Sequence, residues 1–284
     1  MKKKKVTTKK IGLTVLLVII GLLGSGIATV SYWKRTPYGI LHTNAALLLK
    51  LIDVRGIDLF RGNPTPAEIR ATTAAGRALL QNKPTPIVQT RDTTLPGPAG
   101  PIQIRIYITR QGNNLPVIIY YHGGGWIMGD LNSHDNICRA LSVKTSGIVV
   151  SVDYRLAPEH PFPAAVEDAY AALLWISRNA ATFHGDKSRI AIAGDSAGGT
   201  LAAAIALISR DRNGPRISAQ VLIYPAIDLS DMKTASYRKF AKGFYLTKRY
   251  MENFRAMYLP RPEDWQNALA SPLLAATVKN LPPT

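Results

Sequence analysis

Two glycine-rich segments hold the residues best suited to chemistry. In Gly194-Asp195-Ser196-Ala197-Gly198-Gly199 a serine stands among small residues, just after the apolar run Ile190 to Ala193 and just before a helical stretch. A tight strand-to-helix turn of this kind lifts a hydroxyl above a sheet as a nucleophile. Glycine allows unusual backbone angles there and keeps side chains away from the hydroxyl. The free N–H groups and positive dipole end of the following helix then face any anion that forms. The second segment, His122-Gly123-Gly124-Gly125-Trp126, follows the apolar run Pro116 to Tyr121. A glycine loop after a strand can aim backbone N–H groups at a tetrahedral oxyanion, together with the N–H of the residue after the nucleophile, here Ala197. The implied chemistry is acyl transfer through Ser196.

Neither segment stands alone. A chain of this length holds a G-x-S-x-G pattern by chance about 0.1 times and a His-Gly-Gly-Gly run about 0.002 times. A phosphate-binding loop would want a lysine beside the glycines, and none is there. His122 reads as a structural residue that holds the glycine loop by hydrogen bonds.

The elements that must position these segments are legible from periodicity. Ile102 to Ile108 alternates strictly between apolar and polar residues, which marks a half-buried strand, with a turn-rich Leu95 to Pro101 before it. Continuous apolar runs follow at 116–121, 148–152, 190–193 and 221–224, separated by helical stretches near 133–145, 163–180 and 197–211. Strands buried on both faces and alternating with helices predict a mostly parallel sheet flanked by helices, an α/β fold. Val166, Tyr170, Leu173 and Leu174 share one helix face that would pack on that sheet. Residues 36–83 are expected to form a helical cap region, with Ala45 to Ile52 apolar and Pro64 and Pro66 opening a second helix to about Leu80. Residues 84–284 would form the catalytic domain.

The amino terminus carries a separate signal. Lys2, Lys3, Lys4, Lys5, Lys9 and Lys10 form a basic tail over 1–10, followed by the uncharged run Ile11 to Val30. Twenty such residues match the ~20 that a helix needs to cross a bilayer. The lysines would keep the tail in the cytoplasm and place the rest beyond the membrane. A secretory signal peptide cleaved near Gly26-Ile27-Ala28 is the rival expectation, with a secreted product. The other basic residues behind the net charge of +17 are dispersed, and no nucleic-acid partner is expected. The single cysteine, Cys138, excludes an internal disulfide and a cysteine zinc site, and reads as a buried apolar side chain on a helix.

With these motifs in hand, residues 85–284 resemble the bacterial hormone-sensitive lipase family of α/β-hydrolase-fold carboxylesterases. The resemblance rests on residues 122–126 and 194–199, and on Tyr154-Arg155-Leu156-Ala157-Pro158-Glu159-His160-Pro161-Phe162-Pro163-Ala164-Ala165. The segments Gly243 to Thr247 and Ala270 to Leu274 match later landmarks. It implies hydrolysis of small carboxylic esters without metal or organic cofactor. Ser196 would be the nucleophile, and Gly123, Gly124, Gly125 and Ala197 would supply the oxyanion hole. In that family an aspartate and then a histidine follow the nucleophile, the aspartate just after a Leu-Pro-Pro segment. Here the chain ends at Leu281-Pro282-Pro283-Thr284, and His42, His122, His134, His160 and His184 all precede Ser196. The expectation is therefore an α/β-hydrolase domain incomplete at its C-terminus, with its last strands and its triad Asp and His not present. An inactive remnant of that fold is the alternative. His184 precedes the strand leading to Ser196 and lies over roughly 10 Å from it. His122 and His160 follow strands that end at the same sheet edge, yet both read as structural.

Overall fold

In the computed structural model, which describes residues 25–80 and 83–284, the contacts divide the chain into two units. The first comprises the chain up to Asp58 with Lys242–Tyr245. Its described part begins with helix α1 over residues 25–33, then a two-residue ladder of β1 (Arg35–Thr36) and β2 (Gly39–Ile40). Helix α2 (Thr43–Arg55) follows. His42 caps its start by accepting a hydrogen bond from Asn44 N at Nδ1, and Gly56, at φ 57°, ends it in the left-handed region that glycine tolerates. The expected span Ile11–Val30 lies outside the described residues up to position 24. Among the described residues no helix is long and apolar enough to cross a membrane.

The second unit, Leu59–Ala241 with Leu246–Thr284, carries both glycine segments. Helix α3 (Pro66–Leu80) starts where the prolines place it, with Thr65 and Glu68 in a reciprocal capping box. A hairpin of β3 (Gln89–Gly97) and β4 (Gly100–Ile108) leads into β5 (Leu115–Tyr121), α4 (Asp135–Thr145), β6 (Ile148–Asp153) and α5 (Ala164–Asn179). Then come β7 (Gly185–Asp195), α6 (Ala197–Asp211), β8 (Ala219–Ile223), the short α7 (Ala235–Lys239) and α8 (Lys248–Tyr258).

The sheet order is β3-β4-β6-β5-β7-β8. The β6-β5-β7-β8 half is parallel, and the β3-β4-β6 half is antiparallel. The mostly parallel α/β reading thus holds, with three of the five strand pairings parallel and the motifs on the parallel side. Alternation sorts side chains to two faces. Ile104, Ile106, Val117, Ile119, Val150 and Ile192 enter the larger core with α5 and α6, while Tyr107, Tyr120, Val149 and Ala193 meet Cys138 of α4 on the other face.

Three local expectations need correction. Leu95 to Gly97 is strand, not turn: β3 runs through it, and polar residues 89–94 hide the strand because it lies at the sheet edge and pairs only with β4. The strand leading to Ser196 runs from Gly185 to Asp195, starting earlier than Ile190. The buried face of α5 centres on Ala165, Ala169, Ala172, Leu173 and Ile176, while Tyr170 and Leu174 are only half-buried.

Candidate active site

Parallel pairing brings the two glycine segments to one edge of the sheet. Tyr121 at the end of β5 stands opposite Gly194 of β7, so the chain leaves both strands side by side. Ser196 then adopts φ 51° and ψ −121°, a region costly for any residue with a side chain. The neighbouring structure enforces it. Ser196 N donates to Ile223 O at the end of β8 (2.8 Å), Thr200 N donates back to Ser196 O (3.0 Å), and Thr200 Oγ1 bonds to Ala226 O (2.9 Å).

The glycines of this turn have a different task from the one the sequence suggests. Gly194 and Gly198 are not in the left-handed region; the unusual angles fall on Ser196 itself. Their necessity is close approach. A Cβ on Gly198 would stand 1.9 Å from Tyr121 O and 2.6 Å from His122 O, and one on Gly194 would stand 2.4 Å from Gly198 C. Helix α6 therefore starts in direct backbone contact with the end of β5.

In the loop after β5, Gly124 (φ 129°) and Gly125 (φ 60°) do need glycine's freedom. Gly124 O accepts from both Ile127 N (3.2 Å) and Met128 N (3.1 Å), closing the turn, and Gly125 backs onto the Phe254 ring of α8. Trp126 is buried and stacked on Tyr258, 4.4 Å between centroids and 2° between planes. No hydrogen bond within the described residues takes the N–H groups of Gly124, Gly125 or Ala197. Gly123 differs: its N–H donates to Asp195 Oδ1 at 3.0 Å. That peptide is committed to the scaffold and departs from the expected donor set.

His122 is fully buried. Its Nδ1 lies 2.9 Å from Gly123 O, its ring stacks on Tyr154 at 4.3 Å, and Tyr154 Oη donates to His122 O (2.6 Å). Burial pulls its basicity down to about 4, so it stands neutral in the fold. His122 Nε2 is 4.0 Å from Asp153 Oδ1, and burial, with Asp130 nearby, raises the Asp153 carboxyl to about 6. His184 caps the turn before β7, at the far end of the strand from Ser196, with Nδ1 2.8 Å from Asn113 Oδ1. His160 is exposed, its N–H bonded to Leu156 O. His134 lies against Asp195, and His42 belongs to the other unit.

Several supporting residues carry no sequence signal. Arg70 of α3 donates to Ile127 O (2.7 Å) and Ala157 O (3.0 Å) and pairs with both Glu159 oxygens (2.9 and 2.6 Å), tying the glycine loop to the 154–160 loop. Buried Asp168 receives Arg155 through both oxygens and the Arg155 N–H. Glu167 meets Arg155 at 3.3 Å, and Asp195 collects Tyr120, Gly123 and His134.

A family model described as alpha/beta hydrolase fold matches residues 118–284. The chain belongs to that family, in its hormone-sensitive-lipase-like branch. Residues of this hydrolase-family chain are 41% identical over 251 positions to the carboxylic ester hydrolase LipN of Mycobacterium tuberculosis, covering 86% of this chain and 66% of that protein. They are 44% identical over 188 positions to the carboxylesterase NlhH of the same organism, covering 64% and 58%. The chain thus spans less than two thirds of the length of these relatives. Among solved structures, the hyperthermophilic esterase from Pyrobaculum calidifontis superposes with a TM-score of 0.77 at 41% identity, covering 84% of this chain and 77% of that one.

Proposed function

We propose that this chain is a serine carboxylic-ester hydrolase of carboxylesterase type, acting on small esters through an acyl-enzyme on Ser196. The observation that carries the reading is the union, at one sheet edge, of a strained serine and three uncommitted backbone N–H groups. The Ser196 hydroxyl would add to the ester carbonyl, and the oxygen that gains charge would be met by the N–H groups of Gly124, Gly125 and Ala197. Donors held in advance by backbone packing need no reorganisation as the charge forms. Gly123 serves by holding the loop rather than by donating. Collapse of the tetrahedral species expels the alcohol and leaves the acyl-enzyme for water. No cofactor is needed.

Esterase neighbours at about 40% identity support the substrate class. A second reading, a hydrolase-fold chain that binds an ester without turning it over, is favoured by the placement of its histidines. His122 is neutral and enclosed, His134 is held by Asp195, and His184 caps the far end of β7. The experiment that separates them is labelling of the 284-residue protein with a fluorophosphonate, mapped by mass to Ser196. Stoichiometric labelling that vanishes in Ser196→Ala supports the hydrolase; a folded but unlabelled protein supports the second reading.

For location, the reading is a single-pass anchor over residues 11–30, with the basic tail 1–10 cytoplasmic and the hydrolase unit beyond the membrane. Residues 36–83 would serve as a helical cap and 84–284 as the hydrolase domain. Alkaline carbonate extraction of membranes tests the anchor: release of the full-length protein into the soluble fraction would refute it.

A further inference from the structure

The residue before the nucleophile holds a polar cluster that the acyl-transfer chemistry does not use. Asp195 is buried, and its Oδ1 accepts from Tyr120 Oη (2.8 Å) and from Gly123 N (3.0 Å). The His134 Nε2 stands 3.1 Å from the same oxygen and 3.3 Å from Oδ2. Burial alone would push this carboxyl up, but the hydrogen bonds and charge of His134, with Tyr120 and Gly123, hold it below the ordinary carboxylate range. A carboxylate can only accept, so the tautomer that bonds it carries the hydrogen on Nε2; the Gly123 N–H also points at this nitrogen, at 3.4 Å, so His134 meets the loop directly as well as through Asp195.

The imidazole is fixed on every side. Nδ1 lies 2.8 Å from Ser133 Oγ, and that hydroxyl is itself pinned by Asp130, bonded to its O at 2.6 Å and its N at 2.8 Å. The ring packs beside those of Tyr120 (centroids 5.9 Å apart) and His122 (5.7 Å). His134 also occupies the cap position of α4, yet its side chain makes no capping bond to that helix. It is turned to Asp195 instead.

The other end of the relay is the glycine loop. A Cβ on Gly123 would meet Asp195 Oδ2 at 2.3 Å, so the carboxylate lies flat against that residue and bonds its N–H as well. Any rotation of Asp195 must move Gly123, and with it the peptide groups of Gly124 and Gly125. We propose that His134 is a positioning residue: by holding Asp195 against Gly123, it fixes the loop whose next two N–H groups face the developing oxyanion. This rests on the oxyanion reading given above. It assigns a task in the reaction to a histidine that touches neither substrate nor nucleophile.

The test uses the full chain with His134→Leu, His134→Gln and His134→Asn, read in two ways. Amide hydrogen exchange of the peptide covering residues 122–127 reports the loop directly. The second-order rate of fluorophosphonate attack on Ser196 reports its alignment. In His134→Leu the loop should exchange about tenfold faster and the labelling rate should fall about tenfold, less than the 100-fold or more for deleting a donor outright. Glutamine places an amide N–H near the imidazole Nε2 and should restore both readings to within about threefold of the parent. Asparagine is too short to reach and should behave as leucine does, which keeps the test open if the leucine variant fails to fold. Loop exchange at the parent rate in both Leu and Asn variants, or a Gln variant as impaired as they are at equal thermal stability, overturns the proposal. If the parent protein is never labelled at Ser196, the hydrolase reading fails while loop exchange still decides the positioning role.

Discussion

Substituting Gly198 by alanine probes the contact on which the site is built. The added methyl would stand 1.9 Å from Tyr121 O, 2.5 Å from Tyr121 C and 2.6 Å from His122 O. Carbon and oxygen ordinarily approach no closer than about 3.3 Å, so α6 and the end of β5 must part by about 1.4 Å. All three obstacles are backbone, so no rotamer change relieves them. Overpacking of this kind costs about 1–3 kcal/mol or more, and alanine's better helix propensity returns up to about 1 kcal/mol. With about 3 kcal/mol for a clash on backbone and about 1 kcal/mol returned, a net loss of about 2 kcal/mol follows. The same displacement carries Ala197 N–H away from Gly124 and Gly125, so fluorophosphonate labelling should slow about 100-fold, as when a donor is lost. Gly199→Ala is the control in the same helix turn. Its methyl would meet Gly194 O at 3.0 Å and Pro225 Cβ at 3.1 Å, which small adjustments accommodate. Its stability should change by less than about 1 kcal/mol. Urea unfolding of both variants decides the matter. Equal stabilities, or a Gly198→Ala protein that labels at the parent rate, would refute the argument that backbone approach is what glycine provides here.

Three further outcomes are expected. Ser196→Gly should be more stable than Ser196→Ala by about 1 kcal/mol, because only glycine is at ease at φ 51°; equal unfolding midpoints would count against strain at Ser196. Arg70→Lys keeps a charge but cannot bridge Ile127 O, Ala157 O and Glu159 together, so stability should drop by about 1 kcal/mol and loop exchange at 122–129 should quicken; unchanged exchange would sink that role. Buried His122, held down to about 4 against the usual 6.5, binds its proton more readily once unfolded. Its contribution is complete above pH 6.5 and is lost as pH falls toward 4, about 2 kcal/mol between pH 7.5 and pH 5. The same pH dependence in His122→Asn, followed by denaturant midpoints, would show that the titration lies elsewhere.

Much of the candidate site was legible in the sequence because its motifs are local. Ser196, the glycine loop and the flanking strands are encoded in runs of a few residues whose periodicity and composition state their geometry directly. The capping prolines of α3 and the buried reading of Cys138 follow from the same short-range rules. Residues 89–94 were not legible as strand, since an edge strand facing solvent needs no apolar alternation and only its pairing with β4 defines it.

What the tertiary structure alone decided is how distant groups divide the work. Gly123, Gly124 and Gly125 are indistinguishable by letter, yet Asp195, 72 positions away, claims the first N–H and leaves the other two uncommitted. His134 and Arg70 carry no motif, and their tasks arise only because α4 begins beside the elbow of β7 and α3 lies against the loop after β5. The physical reason is range. Periodicity and turn chemistry act over a few residues, while a hydrogen bond across the chain exists only once packing has fixed both partners within about 3 Å.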